Sequence, residues 1–319
     1  MKSKLKNFNF KRGKQTVVIA CYEPPQMSVK VEKICAPVVL GEGPHWDDGQ
    51  QCLYYVSILE NTIHKYVPAS EHHSKTKLDD HVGFILPVEG TKDRFVIGLG
   101  RKFVVIEWNG EDGSPAKVIR ELAEVDSDVG ITRLNDGKCD PKGRIFAVGT
   151  IEPGRGSFFR LEGTNCTKLC SKISISNGLA WHDDTLYYID SMERAITRFD
   201  YDVKTGEISN RKHIFDFAKH GIDGFPDGMT IDTDGYLYIA VFSGSCVIKI
   251  DPKNDKLLEK IPIPAEQVTS VTFGGPNLDI LYVTSANLPI GKEQLPTAGA
   301  VFRITGLGAK GHPNLAVKL

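Results

Sequence analysis

Short apolar stretches recur along the chain, each framed by the same polar punctuation. Phe103-Val104-Val105-Ile106-Glu107-Trp108 runs into Asn109-Gly110, and Val247-Ile248-Lys249-Ile250 runs into Asp251-Pro252. Runs of four to six β-branched or aromatic residues, closed by Gly, Pro, Asn or Asp, are the pattern of antiparallel strands joined by tight turns. Helical periodicity is nearly missing, and only residues 120–125 and 215–219 read as short helical turns.

The runs repeat as larger units. Glu42-Gly43-Pro44-His45-Trp46 leads to Leu53-Tyr54-Tyr55-Val56, Ser176-Asn177-Gly178-Leu179 to Leu186-Tyr187-Tyr188-Ile189, and Pro226-Asp227-Gly228-Met229 to Leu237-Tyr238-Ile239-Ala240. Weaker copies begin at Phe84, Leu134 and Thr269, so that six starts fall 42 to 50 residues apart. Several short strands per repeat at this period predict an all-β, six-bladed β-propeller, with the start of each blade's inner strand bordering a central channel. Such blades share one ring, so residues 27–319 form one domain.

Composition narrows the setting. The chain of 319 residues is 41 % hydrophobic and 25 % charged, ordinary for a globular protein with a full core. A net charge of −1 gives no reason to expect a nucleic-acid or membrane partner, and no apolar run is long enough to span a bilayer. Seven scattered cysteines without a metal-spaced cluster fit a reducing, cytoplasmic compartment. The sequon Asn165-Cys166-Thr167 carries little weight without a secretory signal. Residues 1–26 hold six Lys or Arg and a single acid, Glu23, and read as a flexible basic extension, with a transit peptide as the other reading.

Glu42, Asn177 and Asp227 stand at equivalent places in three of the units. Converging on a channel, two carboxylates and an amide oxygen form an all-oxygen set suited to one hard divalent cation such as Ca²⁺, Mg²⁺ or Mn²⁺. Asn-Gly and Asp-Gly are also plain turn dipeptides, and residue chemistry alone leaves both readings open. On an extended segment Arg133 and Asn135 share a side, a cation and an amide fit for a polar substrate, while Asp136 points the other way. Asp232-Thr233-Asp234-Gly235 lacks the spacing of a calcium loop and reads as a turn in which Asp234 serves local hydrogen bonds. His72-His73 falls in a polar loop and reads as solvated.

These residues resemble the SMP-30/gluconolactonase/regucalcin family from about residue 30 onward. The resemblance is carried by Gly41-Glu42-Gly43-Pro44-His45-Trp46, Arg133-Leu134-Asn135-Asp136-Gly137-Lys138, Ile175-Ser176-Asn177-Gly178-Leu179-Ala180-Trp181, Tyr187-Tyr188-Ile189-Asp190-Ser191 and Phe225-Pro226-Asp227-Gly228-Met229. It implies a six-bladed propeller with one divalent cation (Ca, Zn, Mn or Mg) on Glu42, Asn177 and Asp227. It also implies hydrolysis of a sugar lactone, with substrate contacts from Arg133, Asn135 and a glutamate for which Glu152 is the nearest candidate. Asp227 would act as the catalytic group that orients or deprotonates water. The chain departs from the family where Ser57 follows Tyr55-Val56 in place of Asp, and in the short segment after Gly149-Thr150-Ile151. Two other readings stand beside the lactonase: a calcium-binding regulatory protein, and a luciferin-regenerating type of enzyme acting on another small molecule. The expected partner is a small lactone, and the expected state a monomer or weak dimer.

Overall fold

In the computed structural model, residues 28–149, 153–290 and 294–319 are described in full, and 6–12 and 15–21 as backbone. Nearly every element is a β-strand, and the only helical element among the described residues is a 3₁₀ turn at Ser191–Glu193. Residues 120–125, expected as a helical turn, belong instead to the strand Lys117–Glu124. Phe215 ends the strand Ile208–Asp216 before a turn at 217–221. At 120–124 and at 215–216 pairing with the neighbouring strand overrides local propensity, while 217–219 lie in a turn as expected.

Four sheets are separate and four-stranded, each running from an inner strand outward in chain order. Their inner strands are Gly41–Asp47, Val82–Pro87, Leu134–Cys139 and Ser176–His182. The remaining strands form one eight-stranded sheet, so the separate sheets do not number six as the repeats predict. Its two inner strands are Phe225–Ile231 and Gln267–Gly274, and one pair, Phe242 opposite Gln267, joins its halves. Neighbouring inner strands touch in chain order, and Gln267–Gly274 returns to Gly41–Asp47, closing a ring. The last half-sheet is completed by the start of the chain: Lys30–Lys33 pairs antiparallel with Phe302–Thr305. Within residues 1–26, Lys6–Arg12 and Gln15–Cys21 pair only with each other.

The cores lie between sheets. Phe84, Val96 and Phe103 pack against Leu134, Ile145 and Phe159 of the next sheet. Trp46 and Tyr55 pack against Tyr282 and Val301, with Trp46 and Tyr282 stacked at 5.4 Å. At roughly 1.5–3 kcal/mol for each large side chain fully buried, these contacts hold the sheets to one another and no sheet buries its faces alone. The aromatic pairs that mark the repeats in sequence fill these seams.

One irregularity recurs in every inner strand. Each carries one extra residue near its start relative to its partner, between Glu42 and His45, Val82 and Ile85, Leu134 and Asp136, Asn177 and Leu179, Pro226 and Met229, and Val268 and Ser270. A bulge re-aims side chains that a regular pleat would send to opposite faces. Glycine follows the bulged residue where strands crowd: a Cβ on Gly228 would stand 2.0 Å from Ser270 Oγ, and one on Gly178 2.8 Å from Asp227 O.

The C-terminal tail crosses the far end of the ring. Gly311 N donates to Leu278 O at 2.8 Å, Val317 N to Pro87 O at 2.8 Å, and Lys318 N to Gly143 O at 3.0 Å.

Candidate functional site

The bulges gather the predicted residues at one end of the channel. Glu42, Asn135, Asn177 and Asp227 are 6 %, 8 %, 3 % and 6 % exposed, although each sits beside a surface loop. A directed chain of hydrogen bonds runs through them. Arg133 Nη1 donates to Asn135 Oδ1 at 2.7 Å and to Leu134 O at 3.1 Å. Asn135 Nδ2 donates to Asn177 Oδ1 at 2.9 Å and to Ser176 O at 2.8 Å. Asn177 Nδ2 donates to Ser191 Oγ at 2.8 Å, and Ser191 Oγ donates to Pro226 O at 2.6 Å, next to Asp227. With the amide nitrogen of Asn177 held by Ser191, its Oδ1 is the atom turned toward Asn135.

The carboxylates are crowded with negative charge. Burial, and then the charge of Asp136, pushes the Glu42 carboxyl well above its ordinary range, with Gly43 N–H and Arg133 opposing. Burial, and then the charges of Glu42 and Asp136, does the same to Asp227. Asp227 Oδ1 is buried and has no hydrogen-bond partner, and neither does Arg133 Nε. Burial lowers the Arg133 guanidinium to about 10, with Glu42 opposing. Buried carboxylates with an orphaned oxygen are stable as anions only beside a cation, so the donor set fits a divalent ion. The fit is of an unusual kind, since among the described residues no three His, Cys, Asp or Glu side chains gather at metal-binding spacing. The third oxygen of the set is the amide Oδ1 of Asn177.

Two expectations need correction here. Asp136 does not point away: its charge raises both Glu42 and Asp227, and it lines the channel with Gly43, His45 and Lys138. The extra residue at Asn135 turns two consecutive side chains to one side. His73 is not solvated. Its strand, His72–Lys77, brings Nε2 to 3.0 Å from Tyr55 Oη and 2.9 Å from His64 Nδ1, and only His72 is exposed. Glu152 lies outside the described residues. Ser191, which orients Asn177, was within a quoted motif, yet nothing in the sequence assigned it a task.

Residues 40–287 match the family model described as the SMP-30/Gluconolactonase/LRE-like region, and the chain belongs to that family. Among its members the chain is 36 % identical to regucalcin of Gallus gallus over 90 % of this chain and 97 % of that one. A solved luciferin-regenerating enzyme is 41 % identical, with a TM-score of 0.87 over 92 % of this chain and all of the other. A regucalcin of Agrobacterium tumefaciens, described as a calcium-binding protein, is 25 % identical with a TM-score of 0.81 over 90 % and 97 % of the two chains.

Proposed function

We propose that the chain is a divalent-metal-dependent hydrolase of cyclic esters, with a sugar lactone as the substrate class. The observation that carries this reading is the orphaned, buried Asp227 Oδ1 beside Glu42 and the fixed amide of Asn177. Glu42, Asn177 and Asp227 would hold the ion. When bound, a divalent cation supplies Lewis acidity toward a carbonyl oxygen and makes nearby water easier to deprotonate. Asp227, whose carboxyl is raised above its ordinary range by burial and by the Glu42 and Asp136 charges, would orient the attacking water and take its proton. Arg133, held by Asn135 and Leu134 O, keeps its guanidinium at the channel mouth, where it would balance the negative charge that develops on the carbonyl oxygen. Asn135 Oδ1, with a second lone pair beyond the one Arg133 occupies, would accept from a substrate hydroxyl beside it, and Glu152 would make another contact.

The ring itself supports the same reading of the fold. Tyr238 and Val247 of one half of the eight-stranded sheet pack face to face against Val271 and Leu281 of the other, as separate sheets do elsewhere. We count the two halves as two blades, six in all, with residues 27–319 as one unit. No helix among the described residues is long and apolar enough to cross a membrane. The six cysteines with described side chains are free, which supports a reducing compartment such as the cytoplasm.

A second reading keeps the chemistry and changes the substrate. Ile131, two residues before Arg133, is 69 % exposed, and Met192, beside Ser191, is 51 % exposed. Apolar side chains this near the site favour a substrate with an apolar body, in keeping with the similarity to the luciferin-regenerating enzyme. Hydrolysis of a panel of aldonolactones and of aromatic esters, with and without EDTA, tests both readings. Cation binding without turnover of any of them would leave a calcium-binding regulatory protein.

A further inference from the structure

We propose that the channel end remote from Glu42 and Asp227 is a second binding site, built for a small organic acid with an aromatic or aliphatic body. This inference does not depend on the reaction at the other end. A cavity of about 560 Å³ opens where the inner strands finish at Cys139, His182 and Ile231. That volume falls in the range of small-molecule sites.

Its chemistry is uneven in a way that selects a ligand. Lys138 lines both this cavity and the narrow void above it, where Asp136 is its charge partner; its ammonium donates to Met229 O at 3.0 Å and carries two further N–H donors. Trp181 lines the cavity with its indole. His182 and His312 add further donors, while Asp183, the single acid in the lining, is 82 % exposed and 3.5 Å from His182 Nε2. A cation and imidazole nitrogens set against indole and leucine surface suit an anionic head on an apolar body.

The tail makes this a site rather than an open funnel mouth. Asn314 is fixed by Thr272 Oγ1 at 3.1 Å and donates to Phe273 O at 3.1 Å, which holds Leu315 over the opening as one wall. Toward the metal end the channel narrows to a void of about 10 Å³ between Gly43, Asp136 and Met229. That holds roughly one water, so a ligand below is out of reach of Asp227.

The test uses the whole chain and 1-anilinonaphthalene-8-sulfonate as a fluorescent probe, followed by displacement with benzoate or benzamide. We expect one probe per chain, displaced by benzoate and not by equal benzamide. Lys138→Met should weaken the probe about tenfold or more, the scale of a lost charge-assisted contact. Leu315→Trp, on an exposed segment, should fill the cavity and weaken it similarly, with melting temperature and turnover unchanged. It carries the test if Lys138→Met does not fold. Asp227→Asn should bind the probe as the parent does. The proposal is overturned by an absence of one-to-one binding, by equal displacement with benzamide, by parental affinity in Leu315→Trp, or by loss of binding in Asp227→Asn.

Discussion

Asn177 Nδ2 and Ser191 Oγ lie 2.8 Å apart, a hydrogen bond between an inner strand and the 3₁₀ turn that follows its neighbour. It decides which end of the amide faces the channel. Ser191→Ala leaves the amide free to rotate and present nitrogen in place of oxygen. Outer-shell partners of this kind contribute about 10–100-fold to metal affinity. We expect calorimetric titration with Ca²⁺ to show at least about a tenfold loss, with thermal unfolding shifted by only a few degrees. Unchanged affinity would remove Ser191 from any orienting role.

Asp227, Asp232 and Asp234 sit close in sequence and do three different things. Asp234 was expected to serve the turn, but the turn is tied by Asp232, whose Oδ1 accepts from Asp234 N at 3.1 Å and Tyr236 N at 2.8 Å. Asp232 Oδ2 also lies 3.2 Å from Lys249 Nζ. Asp227→Asn should therefore lose divalent-ion binding and lower turnover by about two orders of magnitude or more. Asp234→Ala should stay within about 0.5 kcal/mol of the parent. Asp232→Ala, which takes the carboxylate from the N–H groups of Asp234 and Tyr236 and from Lys249, should cost about 1–2 kcal/mol in denaturant unfolding while sparing catalysis. Equal catalytic losses in Asp227→Asn and Asp234→Ala would contradict the channel-centred site.

The stabilising effect of a divalent cation should grow with pH. Burial raises the carboxyls of Glu42, Asp136 and Asp227, and neighbouring negative charge adds to the rise for Glu42 and Asp227. In the metal-free folded chain these groups hold protons at a pH where the unfolded chain has released them. Metal-free stability therefore falls as pH rises through the raised values, and a cation that replaces the protons reverses the loss. Melting curves with and without Ca²⁺ should separate more at about pH 8 than at about pH 5.5. A gap that shrinks with rising pH would show that the cation binds elsewhere.

Truncation separates the two parts of the N-terminus. Removing residues 1–27 leaves the strand Lys30–Lys33 in place and should shift the melting temperature by only a few degrees. Removing residues 1–34 strips Phe302–Thr305 of its partner and exposes the last half-sheet's edge, and should lower it by roughly 10 °C or more. Equal melting temperatures would mean that the ring closes without that strand.

What could be read from the residues was what repeats. The starts at Glu42, Asn177 and Asp227 carry a polar side chain followed by glycine, because that side chain turns inward at a bulge where the next strand crowds in, and that signature survives in sequence. Arg133 and Asn135 were legible for the simpler reason that a strand alternates. Asp136 was not, since alternation fails at a bulge and a single extra residue leaves no mark in composition. Nor was the pairing of Lys30–Lys33 with Phe302–Thr305, which depends on a partner some 270 residues away. His73 escaped because neither it nor His72 reveals which face of the strand meets Tyr55 and His64.

That distant pairing has a bearing on how the molecule is made. The strand needed to finish the ring is synthesised some 270 residues before its partner, so a nascent chain carries Lys30–Lys33 unmatched until Phe302–Thr305 has left the ribosome. Every intermediate length presents an open arc with a bare seam at each end, Trp46 and Tyr55 on one side and the newest sheet on the other. Stability of the finished protein is thus acquired in one late event, and a ribosome stalled short of Phe302 releases a product that chaperones or proteases must deal with.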